Sequence, residues 1–171
     1  MLRQNPTRKA SIKIILISWL LVGTLDILAA LIDYSIATGK GPANVLKYIA
    51  SGAFGESAFS GGSGMIIMGL LFHYFFALCF TVLFFWIYPR INLLAKNRIL
   101  TGILYGIFIW LVMNLVVVQL CNAPHAPIKA MKITKIIKAA LILICMIGLP
   151  LSFIAYNYFS GKSRGKTTDF R

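Results

Sequence analysis

The chain has 171 residues, of which 59% are hydrophobic and 12% charged, and its mean hydropathy is +0.84. Soluble domains are about half apolar, so this composition excludes an ordinary soluble protein and indicates a single membrane domain over residues 1–171. The net charge of +13 does not indicate nucleic-acid binding, because the cations lie between long apolar runs and no aromatic–basic, zinc-finger or helix-turn-helix pattern accompanies them. We expect them instead to set topology and to meet anionic lipid headgroups.

Four apolar segments are long enough to span a membrane, since about 20 residues cross the hydrocarbon core. They run near 12–36, 65–88, 99–121 and 136–159, and a basic tail follows at 160–171. The first segment is too long for the apolar region of a signal peptide, and no small-x-small cleavage site follows it, so we expect it to be retained. The sequence therefore predicts an all-α fold, an integral membrane four-helix bundle.

The connection between the first two predicted spans has a pattern of its own. Its stretch GPANVLKYIASGAFG has apolar residues at helical spacing but is too short to span. This pattern predicts a short amphipathic helix lying in the membrane interface, with Pro42 in its first turn. The glycine-rich run GESAFSGGSG that follows predicts a flexible linker, and a mobile flap is the alternative.

The distribution of lysine and arginine predicts the orientation of the chain. Eleven of these cations fall on the side of the two termini and six on the opposite side. Cytoplasmic segments carry the excess of Lys and Arg, so both termini are expected in the cytoplasm.

Two acidic residues interrupt the first predicted span, in the stretch GTLDILAALIDY. A carboxylate near the bilayer centre costs about 2.5–3.5 kcal/mol on insertion scales, so Asp26 and Asp33 need an explanation. On a helix both share a face with Trp19, Gly23 and Ala30. Small residues let helices approach closely, and this face is therefore expected to point into the bundle or across a dimer seam.

Two other spans carry a polar residue at a similar depth. At 1.5 Å per residue from the outer ends, Asp26 lies about 16 Å deep, His73 about 12 Å and Asn114 about 10 Å. We therefore predict an intramembrane polar cluster of these three residues. Burial and ion pairing oppose each other in an Asp–His pair, so such a pair can exchange a proton near neutral pH. Nearer the outer surface, Asp33 and Glu56 predict an acidic vestibule that attracts cations.

The alternative for this cluster is structural. Polar side chains also hold membrane helices together, with an average contribution of about 0.6 kcal/mol. A histidine flanked by aromatic residues, as in FHYFF, is commonly a packed and hydrogen-bonded one. The aromatic residues of the second predicted span are interpreted as lipid-facing bulk and interfacial anchors: Phe72, Tyr74, Phe75, Phe76, Phe84, Phe85 and Trp86.

No cofactor, metal site or catalytic residue is predicted. The cysteines Cys79, Cys121 and Cys145 are scattered, and no CxxC or His–Cys spacing suits a metal. No serine–histidine–acid order, HExxH motif or pair of carboxylates at a pocket mouth is present.

The stretches GTLDILAALIDY, VLKYIASGAFGESAFSGGSG, GLLFHYFFAL and GILYGIFIWLVMNLVVV together resemble a family of small bacterial inner-membrane proteins, similar to the YagU-like proteins. The resemblance covers roughly residues 20–120, and the two aspartates have no clear counterpart in that family. It implies a multi-pass inner-membrane protein and no established activity.

Three functions stay open at this point. One is a small permease or proton-coupled carrier, expected to work as a homo-oligomer. The second is a non-catalytic scaffold or partner subunit whose polar residues hold the helices together. The third is an intramembrane enzyme that uses Asp26 and His73.

Overall fold

The structure, a computed structural model, describes residues 10–91, 96–124 and 132–164. These residues form helices and contain no strand, and four of the helices are long and apolar enough to cross a membrane. The four spans are Ile12–Thr38, Ser63–Arg90, Arg98–Leu120 and Ile133–Ser160. The predicted all-α four-helix fold is confirmed, and each predicted span agrees with the observed one to within a few residues. The chain is thus a multi-pass membrane protein.

Some spans contain more than one helical element. The first span is α1 (Ile12–Thr38), and the connection after it contains α2 (Ala43–Phe54) and α3 (Ser57–Ser60). The second span is α4 (Ser63–Ile87) with one 3₁₀ turn at its end. The third consists of α5 (Arg98–Val112), a π-helical segment (Met113–Val117) and α6 (Val118–Leu120). The fourth consists of α7 (Ile133–Leu143), a second π-helical segment (Ile144–Gly148) and α8 (Leu149–Arg164).

The short helix α2 packs across one side of the bundle. The backbone carbonyl of Leu46 lies so close to Gly69 of α4 that a Cβ at Gly69 would collide with it. The N–H of Asn122, just after the third span, donates to the carbonyl of Gly52 at 2.9 Å. Because α2 thus contacts the start of the second span and the end of the third, we call this side of the bundle the α2 side. The opposite side is called the terminus side.

The segment predicted as a flexible linker contains helical structure instead. α3 forms one turn there, and the Lys47 ammonium group donates to the carbonyl of Phe59 at 3.0 Å. Ala58 is fully buried. The sequence did not predict this turn, because its small residues form no apolar pattern of helical spacing. Small residues still allow close packing.

Glycines form the contact between the third and fourth spans. Gly102 lies against the backbone of Gly148, and Gly106 lies against the backbone of Ile144, so neither position has room for a Cβ. Both contacts involve the π-helical segment Ile144–Gly148 of the fourth span. This segment ends close to Pro150, which has no N–H to continue the α-helical hydrogen-bond ladder. The two spans therefore meet backbone to backbone where the fourth one is locally wider.

The main buried core lies in the half of the bundle nearer the terminus side. The Tyr105 hydroxyl donates to the Phe80 carbonyl at 2.6 Å, and the Tyr105 and Phe84 rings are 4.6 Å apart between centroids. The first and last spans also meet on this side, where the Ser11 N–H donates to the Tyr158 hydroxyl at 3.0 Å. The core residues are Val22, Phe80, Phe84, Phe85, Tyr88, Tyr105, Ile109, Ile147, Leu151, Ala155 and Phe159.

The prediction that the aromatic residues of the second span face lipid was wrong for Tyr74, which packs against Gly23 of α1, and for Phe84 and Phe85. Phe84 is 1% exposed and Phe85 is 2% exposed, and both belong to this core. Phe75 and Trp86 are 58% and 57% exposed, as expected for side chains that face lipid. In a span whose residues are nearly all apolar, hydrophobicity does not distinguish the buried face from the lipid-facing one.

A glycine substitution tests the docking of α2. We expect Gly69→Ala to lower the thermal unfolding temperature in detergent micelles by several degrees, since the new methyl group meets the Leu46 backbone and overpacking costs about 1–3 kcal/mol. Gly64→Ala is the matched control, because nothing lies within 4 Å of a Cβ there. An equal response of both variants would contradict the described contact.

Candidate functional site

The first two spans approach each other closely near the middle of their lengths. The Trp19 indole N–H donates to the carbonyl of Tyr74 at 2.7 Å, and the hydroxyls of Thr24 and Tyr74 share a hydrogen bond of 2.8 Å. Between them, Gly23 is buried, and a Cβ there would lie 3.1 Å from the Tyr74 ring. The predicted face of small residues on α1 therefore does point to a neighbouring helix.

The histidine of the second span is fixed at the same contact. The Nε2 atom of His73 lies 2.8 Å from the carbonyl oxygen of Gly23. A carbonyl oxygen only accepts hydrogen bonds, so Nε2 carries the proton and donates. Nδ1 is then the ring nitrogen at which a proton can be taken up or released.

Asp26 belongs to this contact as well. It follows Gly23 by three residues, and its negative charge interacts electrostatically with His73. Both side chains are half-buried. By helical rise, Asp26 lies about 18 Å from the end of its span at Thr38, and His73 about 15 Å from the start of its span at Ser63. Asp26 and His73 therefore lie within electrostatic range of each other on neighbouring spans, near the middle of the bundle.

Asn114 has a different set of partners. Its side-chain amide donates to the carbonyl of Trp110 at 2.9 Å, and the amide of Gln119 donates to the carbonyl of Asn114 at 3.3 Å. Both bonds stay within the third span, and Asn114 belongs to the π-helical segment, where the backbone ladder shifts by one residue. The two side-chain amides supply hydrogen bonds to carbonyls in this distorted turn. The estimated depth of Asn114 in the membrane did not predict these hydrogen bonds within its own helix.

The two acids of the predicted vestibule are in different environments. The Asp33 carboxylate forms an ion pair of 2.7 Å with the ammonium group of Lys138, which joins the first and fourth spans on the α2 side. Sequence reasoning missed Lys138 as a partner, because residues 105 positions apart have no spacing to compare. Glu56 is exposed just before α3, and in the described parts of the chain no ion pair involves it. The charge of Asp33 is therefore balanced within the protein.

The site lies between two unlike regions. Toward the terminus side, the next turns of α1 and α4 enter the buried core through Val22 and Phe80. Toward the α2 side, the face of small residues on α1 continues through Ala30 to Asp33 and its ion pair. The Asp26–His73 pair thus has an apolar, aromatic layer on one side and a polar edge on the other.

Metal binding has no support within the described ranges, where no group of three or more His, Cys, Asp and Glu residues is placed to hold an ion. Comparison with known proteins adds no assignment: no family model, no curated protein and no solved structure matches the chain. The candidate site therefore has to be interpreted from its own geometry.

A double-mutant cycle tests the Asp33–Lys138 ion pair. Because both side chains are partly exposed, at 38% and 51%, we expect a coupling free energy of about 0.2–1 kcal/mol between Asp33→Asn and Lys138→Gln. Thermal or denaturant unfolding in micelles measures it, and raising the salt concentration should reduce it. Strict additivity of the two substitutions at low salt would show that the pair does not stabilise the bundle.

Proposed function

We propose that the protein moves protons across the membrane, alone or together with a small solute, and that the Asp26–His73 pair is its proton-binding site. The observation that carries this proposal is that two titratable groups on neighbouring spans, Asp26 and His73, lie within electrostatic range of each other near the middle of the bundle. Ionisable residues at this depth are costly, and they commonly mark proton or ion pathways.

The geometry of the histidine supports proton exchange at a defined atom. Because Nε2 is held by the Gly23 carbonyl, Nδ1 is the atom that exchanges the proton, and the Asp26 side chain lies within electrostatic range of the ring. Release of the proton restores the neutral ring without breaking the hydrogen bond to Gly23. The pair therefore cycles between two protonation states while the helix contact stays intact.

Transport also requires access from both sides. The face of small residues that leads through Ala30 to the Asp33–Lys138 ion pair supports access from the α2 side. The aromatic core around Phe84 and Tyr105 separates the pair from the terminus side, so this layer has to rearrange during transport. The glycine contacts between the third and fourth spans lie beside this core, where the two backbones pack directly against each other.

We also propose that the protein belongs to a bacterial inner membrane, with the terminus side in the cytoplasm. The excess of lysine and arginine on that side supports this orientation. The resemblance to the YagU-like family supports the bacterial inner membrane.

The alternative function is a non-catalytic membrane subunit whose polar residues hold its helices together. Three hydrogen bonds between the first two spans favour it: Trp19 to the Tyr74 carbonyl, Thr24 with the Tyr74 hydroxyl, and His73 with Gly23. In this alternative the protonation of His73 has no consequence. The third possibility, an intramembrane enzyme using Asp26 and His73, stays a prediction from the sequence.

Proton flux separates the two main functions. We would reconstitute the wild type, Asp26→Asn and His73→Gln in liposomes and follow an internal pH dye under an imposed pH gradient. Glutamine can still donate a hydrogen bond to the Gly23 carbonyl but does not titrate, so it preserves the helix contact and removes the proton site. We expect both substitutions to reduce the flux to that of protein-free liposomes.

Asn114→Ala is the matched control, because it also removes a polar residue from a membrane span. The hydrogen bonds of Asn114 stay within its own span. This variant should retain the flux of the wild type. Unfolding temperatures of the variants within about 3 °C of the wild type would exclude misfolding as the cause of a loss. Absence of flux in the wild type, or flux that persists in both site variants, would overturn the proposal and favour the structural role.

A further inference from the structure

A group of exposed lysines lies on the α2 side where the first and fourth spans meet. Lys135 is one turn beyond Lys138 toward the membrane surface, and Lys132 precedes the first residue of α7. Lys40 follows the end of α1 by two residues. At 1.5 Å per residue, these three lysines lie about 4–11 Å closer to the membrane surface of the α2 side than the Asp33–Lys138 ion pair does. We call Lys40, Lys132 and Lys135 the lysine group.

The positive charge of the lysine group is not balanced by the described residues around it. The nearest acid along the spans, Asp33, is already paired with Lys138. The first turn of α7 contains no acidic residue, and none of the ion pairs in the described ranges involves the lysine group. Lys132 and Lys135 repel each other, and the start of α7 adds partial positive charge of its own to the same place. An anion at this position would relieve that repulsion.

Large apolar side chains are exposed in the same turns. Ile36 at the end of α1 is 81% exposed, and Ile133 and Ile137 in α7 are 66% and 52% exposed. They lie at the ends of two membrane spans, at the level where the hydrocarbon region meets the headgroups. A soluble anion would contact only the lysines, whereas a phospholipid would meet the lysines with its phosphate and the isoleucines with its acyl chains.

We propose that this corner of the bundle binds an anionic phospholipid, with the phosphate held by the lysine group and the acyl chains packed along Ile36, Ile133 and Ile137. The occupant follows from the charge and from the exposed apolar side chains beneath it. Juxtamembrane lysines are attracted to anionic lipid surfaces, at about 1 kcal/mol for each lysine near the surface. The proposal is independent of the proton site, since it uses none of its residues.

Native mass spectrometry measures this binding directly. We would release the protein from bilayers containing phosphatidylglycerol and phosphatidylcholine, and compare the wild type with the double variant Lys132→Gln/Lys135→Gln. We expect the wild type to retain phosphatidylglycerol in preference to phosphatidylcholine, and the double variant to bind it about tenfold more weakly. Lys13→Gln/Lys96→Gln is the matched control, because it removes two exposed lysines from the terminus side. The control should keep the wild-type retention.

A second measurement locates the lipid. A photoactivatable phosphatidylglycerol analogue with the reactive group in its acyl chain should cross-link to peptides that contain Ile36 or residues 133–137. Equal loss of retention in both double variants, no preference for the anionic lipid, or cross-links confined to other parts of the bundle would each overturn the proposal. Full competition by inorganic phosphate would overturn it too and would identify a soluble anion instead.

Discussion

The close approach of α1 and α4 at Gly23 is the contact on which the candidate site depends. Without a side chain at this position, the Tyr74 ring can lie against the backbone of α1, and the His73 imidazole can reach the Gly23 carbonyl. The same approach brings Asp26 within electrostatic range of His73. In a bilayer, where a polar group finds few partners, the absence of a side chain at Gly23 thus lets two titratable groups on different spans come within electrostatic range.

The bundle divides into two halves with different physical properties. The half near the terminus side contains a continuous core of aromatic and aliphatic side chains, and the half near the α2 side contains an ion pair, exposed lysines and the short helices α2 and α3. Packed aromatic rings resist small displacements because interiors are close-packed, whereas polar contacts near a membrane surface exchange with water at lower cost. The Asp26–His73 pair lies at the boundary between these halves.

Sequence patterns predicted the number of spans, their limits and the short helix α2, because the length of an apolar run and the spacing of its small residues follow directly from membrane thickness and helix geometry. They did not predict that Phe84 and Phe85 are buried, since lipid and protein core are equally apolar environments. The depth estimates grouped Asn114 with Asp26 and His73, but depth carries no information on the direction of a side chain. Asn114 instead bonds within a π-helical turn, and Asp33 meets Lys138, a partner that only the tertiary structure identifies.

The π-helical segment Ile144–Gly148 has a consequence for how the fourth span tolerates changes in length. One extra residue in a helical turn rotates everything on its far side by about 100° relative to a regular α-helix. Deleting a single residue there would restore regular helix geometry, yet it would turn Lys138 away from Asp33 as long as Gly148 stayed against Gly102. The π-helical segment therefore sets the rotation between the two ends of the fourth span. With this rotation, Gly148 packs against the backbone of the third span while Lys138 pairs with Asp33 of the first span.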